Sequence, residues 1–261
     1  MQIDLSIDTD AVRHQLITFI QQQVHSAGYE KALLGLSGGM DSALACYLAA
    51  EALGPKKVLA LRMPYKTSAP DSLEDAQKVI DTLGVNSITF HITRMADALI
   101  DEFPDMDRTR MGNIQARMRM VVLYDQSVAF NGLVVGTGNK TEIYLGYSTL
   151  FGDSACAFNP LGDLYKTQVR QLSAAMGIPD SIQRKPPSAG LWSGQTDEGE
   201  LGFTYAEVDQ LLHLLVDLKK TPRECIDEGF SSLFVEKVTA RLRRYEFKRR
   251  LPPVAYLNHK K

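Results

Sequence analysis

Short apolar runs alternate with helix-length segments along the first half of the chain, and this alternation restricts the fold more than any other feature. Ala32 to Leu36, Lys57 to Arg62, Ser87 to His91 and Gly132 to Gly136 read as strands. They are short apolar runs rather than alternating ones, the pattern of a parallel sheet covered on both faces. Between them lie helix candidates at Asp10 to His25, with Asp10 as N-cap, and at Ser42 to Leu53, stopped by Gly54-Pro55. Two more span Asp71 to Leu83, with Asp71 and Glu74 in capping-box-like spacing, and Thr109 to Phe130. The expectation is an α/β fold, a doubly wound open parallel sheet flanked by helices. A helical C-terminal region follows from about Thr204 and ends in a basic stretch, Arg241 to Arg250. Pro64 to Pro70 and Lys185 to Gly202 are expected to be loops, being rich in Pro, Gly and polar residues. With no clean linker, residues 1–261 are expected to form one domain.

Composition narrows the function classes. A formal net charge of −2 gives no reason to expect nucleic acid or an acidic membrane as partner. Cys46, Cys156 and Cys225 are dispersed and form no CxxC pair, which argues against a zinc ribbon or a disulfide framework and fits a reducing cytoplasm. The N-terminal stretch is acidic without a signal-type apolar run, and no segment reaches the roughly 20 apolar residues of a membrane helix.

The most informative segment, Gly35-Leu36-Ser37-Gly38-Gly39-Met40-Asp41-Ser42, joins the first strand to the next helix. Adjacent glycines let backbone N–H groups converge on an anion, and the helix N-terminus behind them adds a favourable dipole. Ser37 and Ser42 offer hydroxyl donors. The loop is not of the Walker type, since the glycine spacing differs and no lysine precedes the helix. Asp41 would repel phosphate unless a cation lay between, so it suggests Mg²⁺ bridging to a polyphosphate. The plain alternative is a strand-to-helix turn in which Asp41 only caps the helix.

A second cluster, Gly136-Thr137-Gly138-Asn139-Lys140-Thr141-Glu142, follows the fourth strand. In an open parallel sheet both loops should lie beyond the carboxyl ends of the strands, where ligands bind. Glu142 then becomes a second oxygen ligand for Mg²⁺, or simply an acid favoured at a helix start. Lys166 opens a helix, the end that disfavours a cation, unless it faces a phosphate or remains solvated.

The segment SGGMDS resembles the pyrophosphate-binding signature of the ATP pyrophosphatases that activate substrates as adenylates. GTGNKTE, the stretch from Phe151 to Val169, the stretch from Lys185 to Asp209 and FKRRLPP together resemble the NAD synthetase family, from about Gly35 to Pro253. The resemblance implies an adenine nucleotide alpha hydrolase-like fold and an ammonia-using ligase. Such an enzyme consumes ATP to amidate deamido-NAD through an acyl-adenylate, giving NAD, AMP and pyrophosphate. It implies that Gly35, Leu36, Ser37, Gly38, Gly39, Met40, Asp41, Ser42, Arg62, Thr137, Lys166 and Ser188 bind ATP. Asp41 and Glu142 would hold Mg²⁺, and Arg117 and Lys248 would contact deamido-NAD. Asp41 and Lys166 would carry the catalysis, and a homodimer without a glutaminase domain is implied. The chain departs from the common pattern at Leu150, Ala157 and Phe247, where lysine, aspartate and histidine are usual. Two other readings stay open: another adenylating amidotransferase or ligase of the same superfamily, and a nucleotide-binding regulatory protein without turnover.

Overall fold

A computed structural model describes residues 3–192, 194–255 and 257, so Met1, Gln2 and Ser193, which fall within stretches read above, lie outside the description. The chain runs through α1 (Thr9–Ser26), β1 (Lys31–Gly35), α2 (Met40–Leu53), β2 (Val58–Arg62), α3 (Pro70–Leu83), β3 (Asn86–Thr89), α4 (Thr93–Ile100), α5 (Arg108–Phe130) and β4 (Gly132–Val134). Helices α6 (Lys140–Leu145), α7 (Lys166–Ala175), α8 (Asp180–Gln183), α9 (Asp197–Leu201) and α10 (Tyr205–Leu212) follow. A π-helical turn (His213–Asp217), α11 (Pro222–Asp227), α12 (Ser232–Arg244) and a short 3₁₀ turn (Glu246–Arg249) complete it.

The four described strands pair in parallel in the order β3-β2-β1-β4. Strand periodicity divides their side chains between two faces. Ala32 and Leu34 of β1, with Val58 and Ala60 of β2, pack into a core with α1, α2, α3 and α7. Leu33, Leu59 and Leu61 point the other way, into a core with Ile92, Ala96 of α4 and Val122 of α5. Burial on both faces is why β1 and β2 read as unbroken apolar runs, whereas the edge strand β3 is largely exposed. A third cluster, built around Leu145, Tyr205, Leu211 and Val235, packs α6, α9, α10 and α12 together.

Local expectations needed five corrections. Asp8, not Asp10, caps α1, its carboxylate accepting from Ala11 N at 3.0 Å. Helix α3 starts at Pro70 after Ala69 and has no side-chain cap, so the Asp71/Glu74 spacing forms no capping box. Proline at the first helical position needs no N–H partner, which removes part of the demand for one. Helix α4 lies where no element was expected, and α9 interrupts the expected Lys185–Gly202 loop. Strand β4 ends at Val134, and Val135 continues by a single parallel bridge to Phe158.

Candidate active site

Strand order reverses between β1 and β4, since β2 and β3 lie on one side of β1 and β4 on the other. The chain therefore departs in opposite directions from two neighbouring carboxyl ends, leaving a crevice there. From β1, Gly38 turns with φ +82° and passes close under the carbonyl of Ser72 in α3. The loop then enters α2 at Gly39, which is extended and offers no side-chain cap, so the first N–H groups of α2 are left for an anion.

The two serines bond to each other and to the loop backbone. Ser42 Oγ donates to Gly39 O at 2.9 Å and accepts from Ser37 N at 3.2 Å. Ser37 Oγ lies 3.0 Å from Ser42 Oγ and accepts from Gly39 N at 3.2 Å. Both hydroxyl protons are thus committed within the loop. They stiffen it, and the outward donors are backbone N–H groups.

From β4, Asn139 caps α6: its Oδ1 accepts from Glu142 N at 3.0 Å, and Asn139 N donates to Glu142 Oε2 at 3.3 Å. The same fully buried Asn139 donates from Nδ2 to Asp41 Oδ1 at 2.9 Å, joining the two loops. Lys166, the first residue of α7, extends its buried ammonium to Asp41 Oδ2 and stands 3.6 Å from Glu142 Oε1. The ring of Tyr205 lies beneath it, 5.4 Å from Nζ to the centroid. Asp197 is buried beside this group, accepting from Tyr205 Oη at 3.0 Å and from Ala189 N at 3.0 Å.

Electrostatics follow from crowding acids around one cation. Burial, then the charge of Asp41, pushes Glu142 up to about 8, against the pull of Lys166. Burial opposes charge on Lys166, but Asp41 and Glu142 outweigh it and hold its pKa above the ordinary lysine value. Burial also raises Asp197, with Lys166 opposing. Asp41, Glu142 and Asp197 face a single ammonium, so ionised they leave excess negative charge. Asp41 and Glu142 are hard oxygen donors sharing that ammonium, a set that fits a divalent cation such as Mg²⁺. Among the described residues no group of three or more metal-type side chains converges. Two protein carboxylates, with other oxygens from phosphate or water, suit Mg²⁺ better than a closed protein cage.

The remaining expected residues bond to partners outside this cluster. Thr137 is half-buried between β4 and α6, and Arg62 ends β2 with its guanidinium on Gln77. The Arg62 Nε is buried with no protein partner. Ser188 is exposed in the loop before α9, its Oγ accepting from Gly190 N at 3.1 Å. Arg117 and Lys248 meet at the far end of α6. Arg117 Nη2 donates to Leu150 O at 3.2 Å, and Lys248 Nζ donates to Gly146 O at 2.8 Å and to Ser148 O. Burial lowers the Lys248 pKa, with Asp153 opposing and Arg241 and Arg117 adding to the effect. Beside it, burial brings the Arg119 guanidinium down to about 10, with Asp153 resisting, while Nε donates to Met63 O at 3.0 Å. Leu150 is half-buried, whereas Ala157 and Phe247 are exposed. Asn139, Asp197 and Tyr205 were missed; Asn139 alone had a local signal, the Asn-x-x-Glu spacing of a capping box.

Comparison with known proteins gives a consistent result. The profile of the family described as NAD synthase matches residues 12–252. An NH(3)-dependent NAD(+) synthetase from Trichlorobacter lovleyi is 53% identical over 251 residues, covering 96% of this chain and 92% of the relative. An NMN synthetase from Francisella tularensis superposes with a TM-score of 0.86 at 32% identity, covering 97% of this chain and 100% of that one. An NH3-dependent NAD synthetase from Campylobacter jejuni, in complex with nitrate, gives 0.82 at 32% identity, covering 96% and 100%.

Proposed function

The chain belongs to the NAD synthase family, and on that premise we propose that the Lys166 cluster is where a nicotinate carboxylate is activated by ATP and then aminated. The chain is a ligase that uses ATP and ammonia to convert deamido-NAD to NAD. The observation that carries the site assignment is the convergence of Asp41, Glu142 and Lys166 from α2, α6 and α7, beside the uncapped start of α2.

A carboxylate resists ammonia because oxide is a poor leaving group. In the proposed route a carboxylate oxygen attacks the α-phosphorus, the bond to the β-phosphate breaks, and pyrophosphate leaves with the electron pair. Ammonia then adds to the acyl carbon, loses a proton, and AMP departs with the other pair. The N–H group of Gly38 and those of the α2 N-terminus hold phosphate oxygens, while Ser37 N and Gly39 N keep the loop in shape. Lys166 supplies a fixed positive charge toward the departing pyrophosphate, and its burial makes that charge effective. Mg²⁺, which Asp41 and Glu142 would hold, supplies further neutralisation of phosphate charge when bound. No side-chain nucleophile is required. Gly35, Leu36, Met40, Arg62, Thr137 and Ser188 are assigned to the ATP side, and Arg117 and Lys248 to the nicotinate dinucleotide.

We also assign residues 1–261 to one catalytic unit and the chain to a homodimer. Exposed Val121, Tyr124 and Val128, spaced along one side of α5, support the dimer. Among the described residues no helix is long and apolar enough to cross a membrane. The three unpaired cysteines support a reducing, cytoplasmic setting.

One observation favours a second substrate reading: the likeness to a protein described as NMN synthetase, in a chain with Leu150, Ala157 and Phe247. The test supplies ATP, Mg²⁺ and ammonium or glutamine with the dinucleotide or the mononucleotide acid. NAD made from ammonium is expected. Faster mononucleotide amidation would move the assignment to NMN, and ATP binding without pyrophosphate release would point to a regulatory protein.

A further inference from the structure

Helix α7 begins with only the back half of a capping box, Gln168 Oε1 accepting from Tyr165 N at 2.9 Å. Tyr165, which precedes it, makes no side-chain cap hydrogen bond, yet two first-turn N–H groups are satisfied from other helices. Lys166 N donates to Thr141 Oγ1 at 3.0 Å, and Thr167 N donates to Asp209 Oδ2 at 2.8 Å. Thr141 Oγ1 in turn donates to Asp209 Oδ1 at 2.6 Å. One carboxylate from α10 therefore uses both oxygens to tie the start of α7 to the start of α6. Thr141 precedes Glu142, and Thr167 follows Lys166.

We propose that Asp209 is a positioning residue: through Thr141 and Thr167 it fixes the register of α6 against α7 and so places Glu142 and Lys166 for turnover. The inference rests on the reading of those two side chains as site residues.

Simple docking of α10 does not account for the choice of an acid. Asp209 and Thr141 are both fully buried, and burying a carboxylate is costly where an apolar pair would pack as well. Burial raises the Asp209 pKa, and the hydrogen bonds from Thr141 and Thr167 pull against it. An apolar residue could not accept from two helices at once. Nor could it place negative charge at the N-terminus of α7, where the Lys166 cation otherwise opposes the dipole. The hydrogen bonds of the link run to Thr141, to Thr167 N and to Lys166 N, not to the side chains of Asp41, Glu142 or Lys166.

Thr141→Val keeps the shape of the side chain and removes the hydroxyl; Asp209→Asn keeps the size and removes one acceptor. Both are expected to lower kcat by about 10–100-fold, the range for residues that orient first-contact groups. KM for ATP and for the nicotinate substrate should stay within about threefold, because the substitutions leave the β1–α2 loop and the α2 N-terminus in place. Thr141→Ser should recover most of the lost turnover. Leu211→Ala, in the buried face of the same helix, should lower Tm without this loss of kcat. Lys166→Met separates the two readings. If it abolishes turnover while Thr141→Val does not change kcat, the positioning role is wrong and the site stands; if it leaves turnover intact, both fall. Thr141→Ser as slow as Thr141→Val, or Leu211→Ala equally slow, would also overturn the proposal. A crystal structure of Thr141→Val reads placement directly. Lys166 Nζ moved beyond about 4 Å from Asp41 or Glu142 supports the role, and unchanged contacts refute it.

Discussion

Replacing Gly38 by alanine separates two costs that the same position carries. Its φ of +82° disfavours any L side chain, and a Cβ there would lie 2.9 Å from Ser72 C and 3.0 Å from Ser72 Cα, with the carbonyl oxygen closer still. Gly28 is the matched control: its φ is +78°, and a Cβ added there meets nothing within 4 Å. Both substitutions should cost about 1–2 kcal/mol for left-handed backbone. Only Gly38→Ala must in addition push the phosphate loop and the first turn of α3 apart. Restoring ordinary contact requires about 1 Å, a misplacement that can cost on the order of 100-fold in rate. Urea unfolding and steady-state NAD formation at varied ATP would be run on both variants. Gly28→Ala should lose stability alone, whereas Gly38→Ala should also lose about 100-fold in kcat/KM for ATP. Equal activity in the two variants would refute the idea that this loop is held in shape by its approach to Ser72.

Lys166→Met should lower kcat by about 100- to 1,000-fold, the usual loss when one preorganised electrostatic donor is removed, with normal folding by circular dichroism. Chelating divalent cations should stop pyrophosphate release, Mg²⁺ should restore it, and Asp41→Asn should raise the Mg²⁺ needed for half-maximal rate. Asp217 accepts from Lys140 at 2.8 Å, Tyr165 at 2.9 Å and His213 at 3.0 Å, holding the π-helical turn to α6 and to the start of α7. Burial opposes its charge, but these donors outweigh it and lower its pKa below 3.8, so its contribution is present above that value and lost as pH falls through the lowered pKa. Asp217→Asn should therefore cost about 2 kcal/mol at neutral pH, and urea unfolding should show the deficit shrinking below about pH 4.

The sheet was legible because β1, β2 and β4 are largely buried, which leaves apolar runs that local reading detects; the exposed edge strand β3 lacks such a run. Helix α4 was not, because its eight residues follow β3 after only Phe90, His91 and Ile92, with no glycine or proline between them to mark a boundary. Cap choice at α1 failed for a related reason: Asp8 and Asp10 flank Thr9, and local chemistry hardly distinguishes them. The loop after β1 could be singled out since its signature lies in contiguous residues. Asn139 and Asp41 are 98 positions apart in sequence, and their hydrogen bond arises only when β4 is laid beside β1. Asp197 and Asp209 were hidden likewise, since an acid on a helix reads as solvated until its neighbours are known. Lys166 shows the limit most clearly. Its unfavourable place at a helix start pointed to a negative partner, but the partners within the protein are Asp41 and Glu142, with Asp209 behind the helix start.

The route through an acyl-adenylate is tested most directly by following oxygen. Nicotinate substrate labelled with ¹⁸O in its carboxyl group would be turned over with ATP, Mg²⁺ and ammonium, and the products examined by mass spectrometry. If the carboxylate attacks the α-phosphorus, AMP carries one labelled oxygen and pyrophosphate carries none. Label in pyrophosphate or orthophosphate, or AMP without label, would contradict the account.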